Sequence, residues 1–499
     1  MATKIPGHIE FAGDYALDSI SIHTHFGERI DIKKVVIELN IYESIYKNAL
    51  TGSIVIGDSQ NLVGKLELNG TERISFKLST PGAESSPTSG NVNRSIVDAS
   101  VETGHPFHVY KISDRKQTNP GTTVYTLHFA SREFMRNLRT KVSQAYEGRL
   151  DTTVLKIMMD KNYIDTKKEM SMEPTGNTHK IVIPNMRPYD AINMIAKKSL
   201  AQKSGAVGYY FYETTKGIYF RSWDNMVTVK GSFDRPIKQE FYYMPMNISH
   251  DSAIIRDKIN HDFKSVESYE FINNFHDVAA NTALGTYGHR VITHNLFDKS
   301  YKESSYNYAN EFSNSKHTDL ANEKSVRERY AVAANSNIDE DDKKMSQYDE
   351  SRVSLRSTTQ FLHNGETGAG YGLDVRQDGP KLAESISQRS QVKHGTTLKL
   401  IVKGQSYLEV GDLIKFNLLK IEPNNTLGEY DKQYSGKYVI TKIRHQIVSE
   451  GYTMALECAK DSVRYGFQAN DFKVEKNPNH PGLRDTYERE EPDKPNRHA

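Results

Sequence analysis

A single cysteine, Cys458, stands in this chain of 499 residues, beside a single tryptophan. One thiol cannot build a disulfide framework or a Cys-based zinc site. Cys458 closes the alternating run Met454-Ala455-Leu456-Glu457-Cys458, so it is expected as a buried structural thiol on a strand. Long apolar runs are missing too, none approaching the ~20 residues needed to span a bilayer. The opening residues, MATKIPGHIEFAGDY, hold no apolar stretch of the kind a secretory signal requires, and assembly in a cytoplasm is expected. Nor does one charge dominate. Lys and Arg number 65 against 63 Asp and Glu, a net +2, which gives no electrostatic case for nucleic-acid recognition.

Motifs of catalysis are equally scarce. There is no GxxxxGK followed by Ser or Thr, no HExxH, no GxSxG and no CxxC pair. His23 and His25 stand two apart, which on a strand puts both on one face, but no third ligand is near and a polar strand face is expected. The run Asp339-Glu340-Asp341-Asp342 lacks the loop spacing and central glycine of a calcium site. With Lys343 and Lys344 beside it, this is solvated charge. His289, His294 and Asp298 would need a partnered Ser or Cys to form a hydrolytic constellation, and no nucleophile motif accompanies them. Glycoside hydrolysis needs two suitably spaced carboxylates, yet nothing singles out a pair among 63 acids. No catalytic, cofactor-binding or metal residue is indicated, and a non-enzyme is expected.

Two β-modules, near opposite ends, are what the chain does contain. In the first, Val35, Ile37, Leu39 and Ile41 alternate with polar residues, Ser53–Ile56 reads as the neighbouring strand, and Ile74, Phe76 and Leu78 repeat the pattern. Residues 82–100 are Ser, Gly, Pro and Asn-rich and read as a long loop. A hairpin follows, 107–112 and 125–129, around the Asn119-Pro120-Gly121 turn. The period then changes. Phe134, Leu138 and Val142 predict one helix, and Val154, Leu155, Met158 and Met159 another capped by Asp151. A third is predicted from Pro188 to about Gln202. A hairpin at 208–212 and 218–221, looped by Thr214–Gly217, completes an α+β region.

The next stretch is mixed and polar. It holds a strand candidate at 289–294, a region 295–351 expected to build little core, and a helix at 379–390. The second β-module carries LEVGDLIKF and GKYVITKIRHQIVSEGYTMALECAKDSV, and a Pro, Asn and charge-rich tail follows. Boundaries fall at 1–130, 131–235, 236–390, 391–470 and 471–499. The 29 tyrosines suit large polar faces that contact other subunits.

The first module, IELNIYESIYKNALTGSIVIGDSQNLVGKLELNGTERISFKLSTP, resembles the opening β-domain of baseplate hub proteins from T4-like contractile phage tails. The resemblance is carried by Asn40-Ile41-Tyr42-Glu43, Thr51-Gly52-Ser53, and Asp58-Ser59 with Leu62 downstream. Upstream, Gly13–Ile32 is similar to the segment leading into that domain. PYDAINMIAKKS and GYYFYETTKGIYFRS are similar to the family's inserted region, and Val410-Gly411-Asp412, Gly436-Lys437-Tyr438 and His445 to its second tube domain. The match spans roughly 1–235 and 390–465; the polar stretch 295–351 departs from it.

The resemblance implies a β-dominated α+β fold, with two small antiparallel β-barrel or tube-type domains in tandem and inserted α+β domains between them. Three copies would close into a pseudo-sixfold ring that adapts a hexameric tail tube to a trimeric central spike. The ring would also meet baseplate wedge proteins, pass DNA without reading it, and reside in the virion tail. No cofactor or metal is implied. The alternatives are the hub or spike of a related contractile injection or secretion system, or a carbohydrate-active trimeric tail protein.

Overall fold

The computed structural model describes residues 11–24, 26–80, 96–176, 178–228, 237–243, 261–273, 277–295, 299, 301–319, 343–358, 380–420, 430–431 and 433–462. His25, Asp298, residues 82–95, the acidic run 339–342 and the tail 471–499 lie outside them.

The first 130 residues supply β1 (Ala16–His23), β2 (Arg29–Asp31), β3 (Val36–Ser44), β4 (Thr51–Asp58), β5 (Arg73–Ser79), β6 (Ile96–Asp98), β7 (Phe107–Asn119) and β8 (Thr122–Ala130). Leu39, Ile41, Ile54, Ile56, Ile74, Phe76 and Leu78 are buried as their alternation requires. Ile37 is not: a register shift between Val36 and Glu38 turns Val36 inward and leaves Ile37 49% exposed, as a bulge does by adding a residue to one strand. Strand β6 takes up the end of the stretch expected as loop. The hairpin is tighter than expected, with both strands continuing to Pro120-Gly121, where Gly121 supplies a φ of 101°.

The inserted region holds β9 (Val142–Gly148), β10 (Met170–Met172), β11 (His179–Met186), β12 (Tyr210–Glu213) and β13 (Ile218–Arg221), with helices Arg132–Arg139, Leu150–Met159 and Pro188–Ala196. Val142 was expected on the first of these helices. It begins β9 instead, because β9 pairs with β11 (Val142 opposite Met186) and the helix ends at Thr140. Asp151 is not the cap of the second helix. Arg149 holds that position, and the Asp151 carboxylate accepts from Thr175 Oγ1 at 2.7 Å, tying helix to loop. The third helix stops at Ala196, short of Gln202, but buries Ala191, Ile192, Ile195 and Ala196 as its spacing predicts. They meet Val154, Ile157 and Met158 in a core of their own.

Strands β14 (Gln239–Tyr243), β15 (Val266–Asn273), β16 (Gly288–Asn295), β17 (Tyr301–Asn307) and β18 (Val353–Thr358) follow. The helix Pro380–His394 then leads to β19 (Thr396–Lys403), β20 (Leu413–Leu418), β21 (Gly436–Val448) and β22 (Gly451–Lys460). No helix among the described residues is long and apolar enough to cross a membrane.

The two β-modules form one sheet of 14 strands, whose main path runs β15-β19-β22-β21-β3-β4-β8-β7-β5-β1-β2. The seam is the antiparallel pair β3–β21, with Tyr42 opposite Arg444 and Asn40 opposite Gln446. One pairing, β14 with β20, is parallel. The architecture is β-dominated. A single core lies on one side of the sheet and draws Leu39, Ile54 and Phe76 from one module and Leu400, Ile443 and Leu456 from the other. Cys458 is buried in it. The polar stretch builds more core than expected: Tyr306, Tyr308 and Phe312 pack with Val291, Tyr287 and Ala383.

Candidate functional site: a polar sheet face above buried charges

Opposite the core, the shared sheet turns a polar face outward across the seam. On β21, Ile443, His445 and Ile447 point inward while Lys442, Arg444 and Gln446 alternate with them. Register carries these polar rows from strand to strand, with Asn40, Ser44 and Ser53 themselves buried at the seam. One row runs Glu270, Lys399, Glu457, Lys442 and Ser44. Another runs Lys403, Thr453, Gln446, Asn40, Ser53, His128 and Lys111. These rows belong to both modules, so neither presents the face alone.

The charges on this face are paired across strands. Lys399 lies 3.5 Å from Glu270, Lys403 2.5 Å from Glu267, Lys442 2.8 Å from Glu457 and Arg444 3.0 Å from Glu38. Arg444 Nε also donates to Asn40 Oδ1 at 2.9 Å, and Gln446 Nε2 to Glu38 at 2.8 Å. Phosphate binding needs cations free to displace counterions, and base binding needs aromatic platforms. Lys399, Lys403, Lys442 and Arg444 are neutralised by pairing, which leaves a polyanion few free cations at the seam, although the exposed Tyr42, opposite Arg444, and Lys111 share the face. Such exposed pairs add little stability. Lys399→Ala, at a side chain 45% exposed, is expected to change the unfolding free energy by less than about 1 kcal/mol, checked by urea unfolding against the wild type.

Beneath the seam lie charges of a different kind. The loop between β12 and β13, Thr214–Gly217, reaches into it. Thr215 N donates to Glu43 on β3 at 2.8 Å, Thr214 Oγ1 to Glu409 at 2.9 Å, and Lys216 Nζ to the carbonyl of Tyr407. Glu43 also accepts from Val410 N at 3.1 Å and lies 3.7 Å from His445 Nε2. Burial pushes the Glu43 carboxyl up, but the nearby His445 imidazole and the hydrogen bond from Thr215 outweigh it and hold the group below its ordinary value.

A second buried cluster fastens the insert to the first module. Lys168 Nζ binds Glu213 and lies 3.7 Å from Glu133. Glu213 accepts from Ser131 Oγ at 2.6 Å and Leu50 N at 2.9 Å, and Glu133 from Thr166 Oγ1 at 2.8 Å. Burial opposes the charge on Lys168, and the two carboxylates more than offset this and keep it protonated. Glu43 stands in a run the resemblance singled out, but nothing in a single sequence distinguishes it, Glu133, Glu213 or Glu409 from other acids.

The histidines singled out by sequence do not converge. His23 Nε2 lies 2.8 Å from Ser75 Oγ on the neighbouring strand, a polar strand face as expected. His289 is buried, its Nε2 2.8 Å from Ser354 Oγ, and burial pushes its pKa down to about 4. Its Nδ1 has no hydrogen-bond partner, so the third group that orients a catalytic base is missing from this Ser–His pair. Among the described residues no group of three or more His, Cys, Asp or Glu is placed to hold a metal ion.

No protein-family model matches this chain, and no curated protein matches it. Solved structures do resemble it over most of its length. The tail protein from Neisseria meningitidis MC58 is 10% identical, covering 90% of this chain and 97% of its own, at a TM-score of 0.46. The 43 kDa tail protein of prophage MuSo2 from Shewanella oneidensis is 8% identical, with 89% and 99% covered, at 0.45. A component of the E. coli type VI secretion system, described as structurally similar to T4 bacteriophage tail proteins, is 9% identical, with 87% and 76% covered, at 0.38. The structural neighbours are thus phage tail and type VI secretion proteins.

Proposed function

We propose that this chain is the structural hub of a contractile phage tail baseplate and that it performs no catalysis. Three copies close into a ring that adapts a hexameric tail tube on one side to a trimeric central spike on the other, with wedge proteins around it. The observation that carries this reading is the polar face shared by two β-modules of one chain. Six such modules from three chains would line a channel with paired charges and small polar side chains, a surface over which DNA moves without being held. Among the described residues the path of the sheet ends at β2 and β15, and strand edges at its ends suit closure by neighbouring copies. The virion tail is the place such a protein would act.

Light scattering coupled to size exclusion tests the ring. A mass near three times 56.7 kDa, stable on dilution, is expected for the chain alone or with its spike partner. A monomer that persists with the spike present would overturn the reading.

A further inference from the structure

The structure assigns a conditional role to one histidine far from the seam. We propose that His317 is a protonation-dependent clasp: as an imidazolium it pins the segment Phe312–Asp319 to the end of β22 and to the helix Trp223–Val227, and loss of its proton releases that segment.

The geometry calls for a cation. His317 Nδ1 lies 3.0 Å from Asp461 Oδ2, and Nε2 lies 2.6 Å from the carbonyl oxygen of Phe312. Both partners are acceptors only, and only the doubly protonated ring donates from both nitrogens. A neutral ring would leave one nitrogen lone pair facing an oxygen at hydrogen-bond distance. The ring is further held by stacking on Phe312, centroids 3.9 Å apart at 16°. Asp461 is the anchor on the other side. It accepts Trp223 Nε1 at 3.1 Å and Thr318 N and Oγ1, each at 2.9 Å. One carboxylate therefore gathers β22, the insert and the segment.

The neighbouring charges leave His317 as the counter-ion of Asp461. From β22, Lys460 is 3.5 Å from Asp319 and donates to the carbonyls of Gln433 and Ser435, so that cation is engaged by Asp319. Asp319 also accepts from the backbone nitrogen of Lys437 on β21. From the insert, Asp224 accepts Lys316 N at 3.2 Å and Gln388 Nε2 at 3.4 Å. From the helix Pro380–His394, Glu384 adds negative charge near Asp224 and is itself paired with Lys381 at 2.5 Å.

The direction of the pH response follows. Burial lowers the pKa of His317, but the Asp461 carboxylate and the Phe312 carbonyl more than offset this and raise it above 6.5. A folded-state value above the unfolded one means the clasp is fully closed below 6.5 and loosens as pH rises through the folded value. Asp224, pushed up by burial from 3.8 to about 7, and Asp319, pushed up by burial, work in the same direction. Asp461, held down to about 2 by His317 despite burial, is ionised throughout. A transition above neutrality is therefore assigned to His317 by its loss in His317→Gln and its movement in Asp461→Asn.

Hydrogen exchange read by mass spectrometry on the full chain, corrected for the intrinsic pH dependence of exchange, tests this. Peptides covering 312–319 are expected to lose protection by up to about tenfold per pH unit above neutrality and then level off, while β21 peptides stay unchanged. His317→Gln, which cannot carry the charge, is expected to show low protection with no transition above neutrality. Asp461→Asn, which keeps the acceptor but not the charge, is expected to move the transition to lower pH. Wild-type protection that stays flat above neutrality would overturn the clasp, as would a transition unmoved by Asp461→Asn.

Discussion

Lys168→Met is expected to lower the free energy of unfolding by about 3–5 kcal/mol, the cost of leaving buried charge without its partner. Two carboxylates, Glu133 and Glu213, depend on this one ammonium, and the Lys168 side chain is only 11% exposed, with theirs nearly sealed. Methionine keeps most of the volume, so the loss measured is mainly electrostatic. Burial already holds the Glu213 carboxyl above its ordinary value and, despite burial, Lys168 holds Glu133 below it; without the cation both rise and take up protons more readily. The deficit is therefore largest at neutral and alkaline pH and shrinks as pH falls. Lys168→Met with Glu213→Gln is expected to recover at least half of it, because glutamine still accepts from Ser131 and Leu50 while removing one charge. Trp223 is the only tryptophan, so fluorescence-detected urea unfolding at two pH values reads the effect from one position. A deficit that does not shrink in acid would refute the electrostatic account.

Gly52→Ala is the second large effect expected, and it strikes the main sheet rather than the insert. A Cβ there would lie 2.2 Å from Phe129 Cζ and 2.4 Å from the carbonyl oxygen of Asn40. Gly52 sits on β4 between Ile41 of β3 and Phe129 of β8, and the Phe129 ring folds across the bare backbone. A ring could tilt away, but a backbone oxygen inside a paired strand cannot. The expected cost is at or above the upper end of the ~1–3 kcal/mol of ordinary overpacking. Gly176→Ala is the control. The nearest atom to its added Cβ is 3.5 Å away and its backbone lies outside the left-handed region, so a change within about 0.5 kcal/mol is expected. Thermal unfolding of the two variants side by side decides: equal midpoints would mean that the sheet yields at Gly52.

Strand positions were legible where one face is dry and the other wet. β3, β4, β5, β16, β21 and β22 all lie where period two, or the resemblance, placed them. Helices were legible only where the buried face is apolar. Pro188–Ala196 satisfies that condition, whereas Arg132–Arg139 buries Glu133 and Asn137 and leaves Leu138 43% exposed. Its apolar spacing therefore pointed to the wrong face and ran on into Val142. The seam was illegible for a different reason. Local alternation shows that a strand exists, and it does not show which partner β3 takes across 400 residues. The buried carboxylates were hidden for the same cause, since Glu43 and Glu213 acquire their meaning from Thr215, Val410 and Lys168, all remote in sequence.

The β3–β21 pairing also sets a clock on synthesis. Asn40 and Arg444, which bond across it, are 404 residues apart. At a ribosomal pace of about 5–20 residues per second, β3 would wait roughly 20–80 s for its partner to be made. Throughout that interval one edge of an otherwise apolar-backed strand stands open, the arrangement most prone to capture by another chain. Neighbouring ribosomes on one message bring identical β21 strands within reach, so exchange of β21 between nascent copies competes with correct closure. Long-range pairing of this kind is also slow to form once the strand exists. How well that waiting edge is shielded until β21 emerges therefore sets how often β3 finds its own partner rather than another chain's.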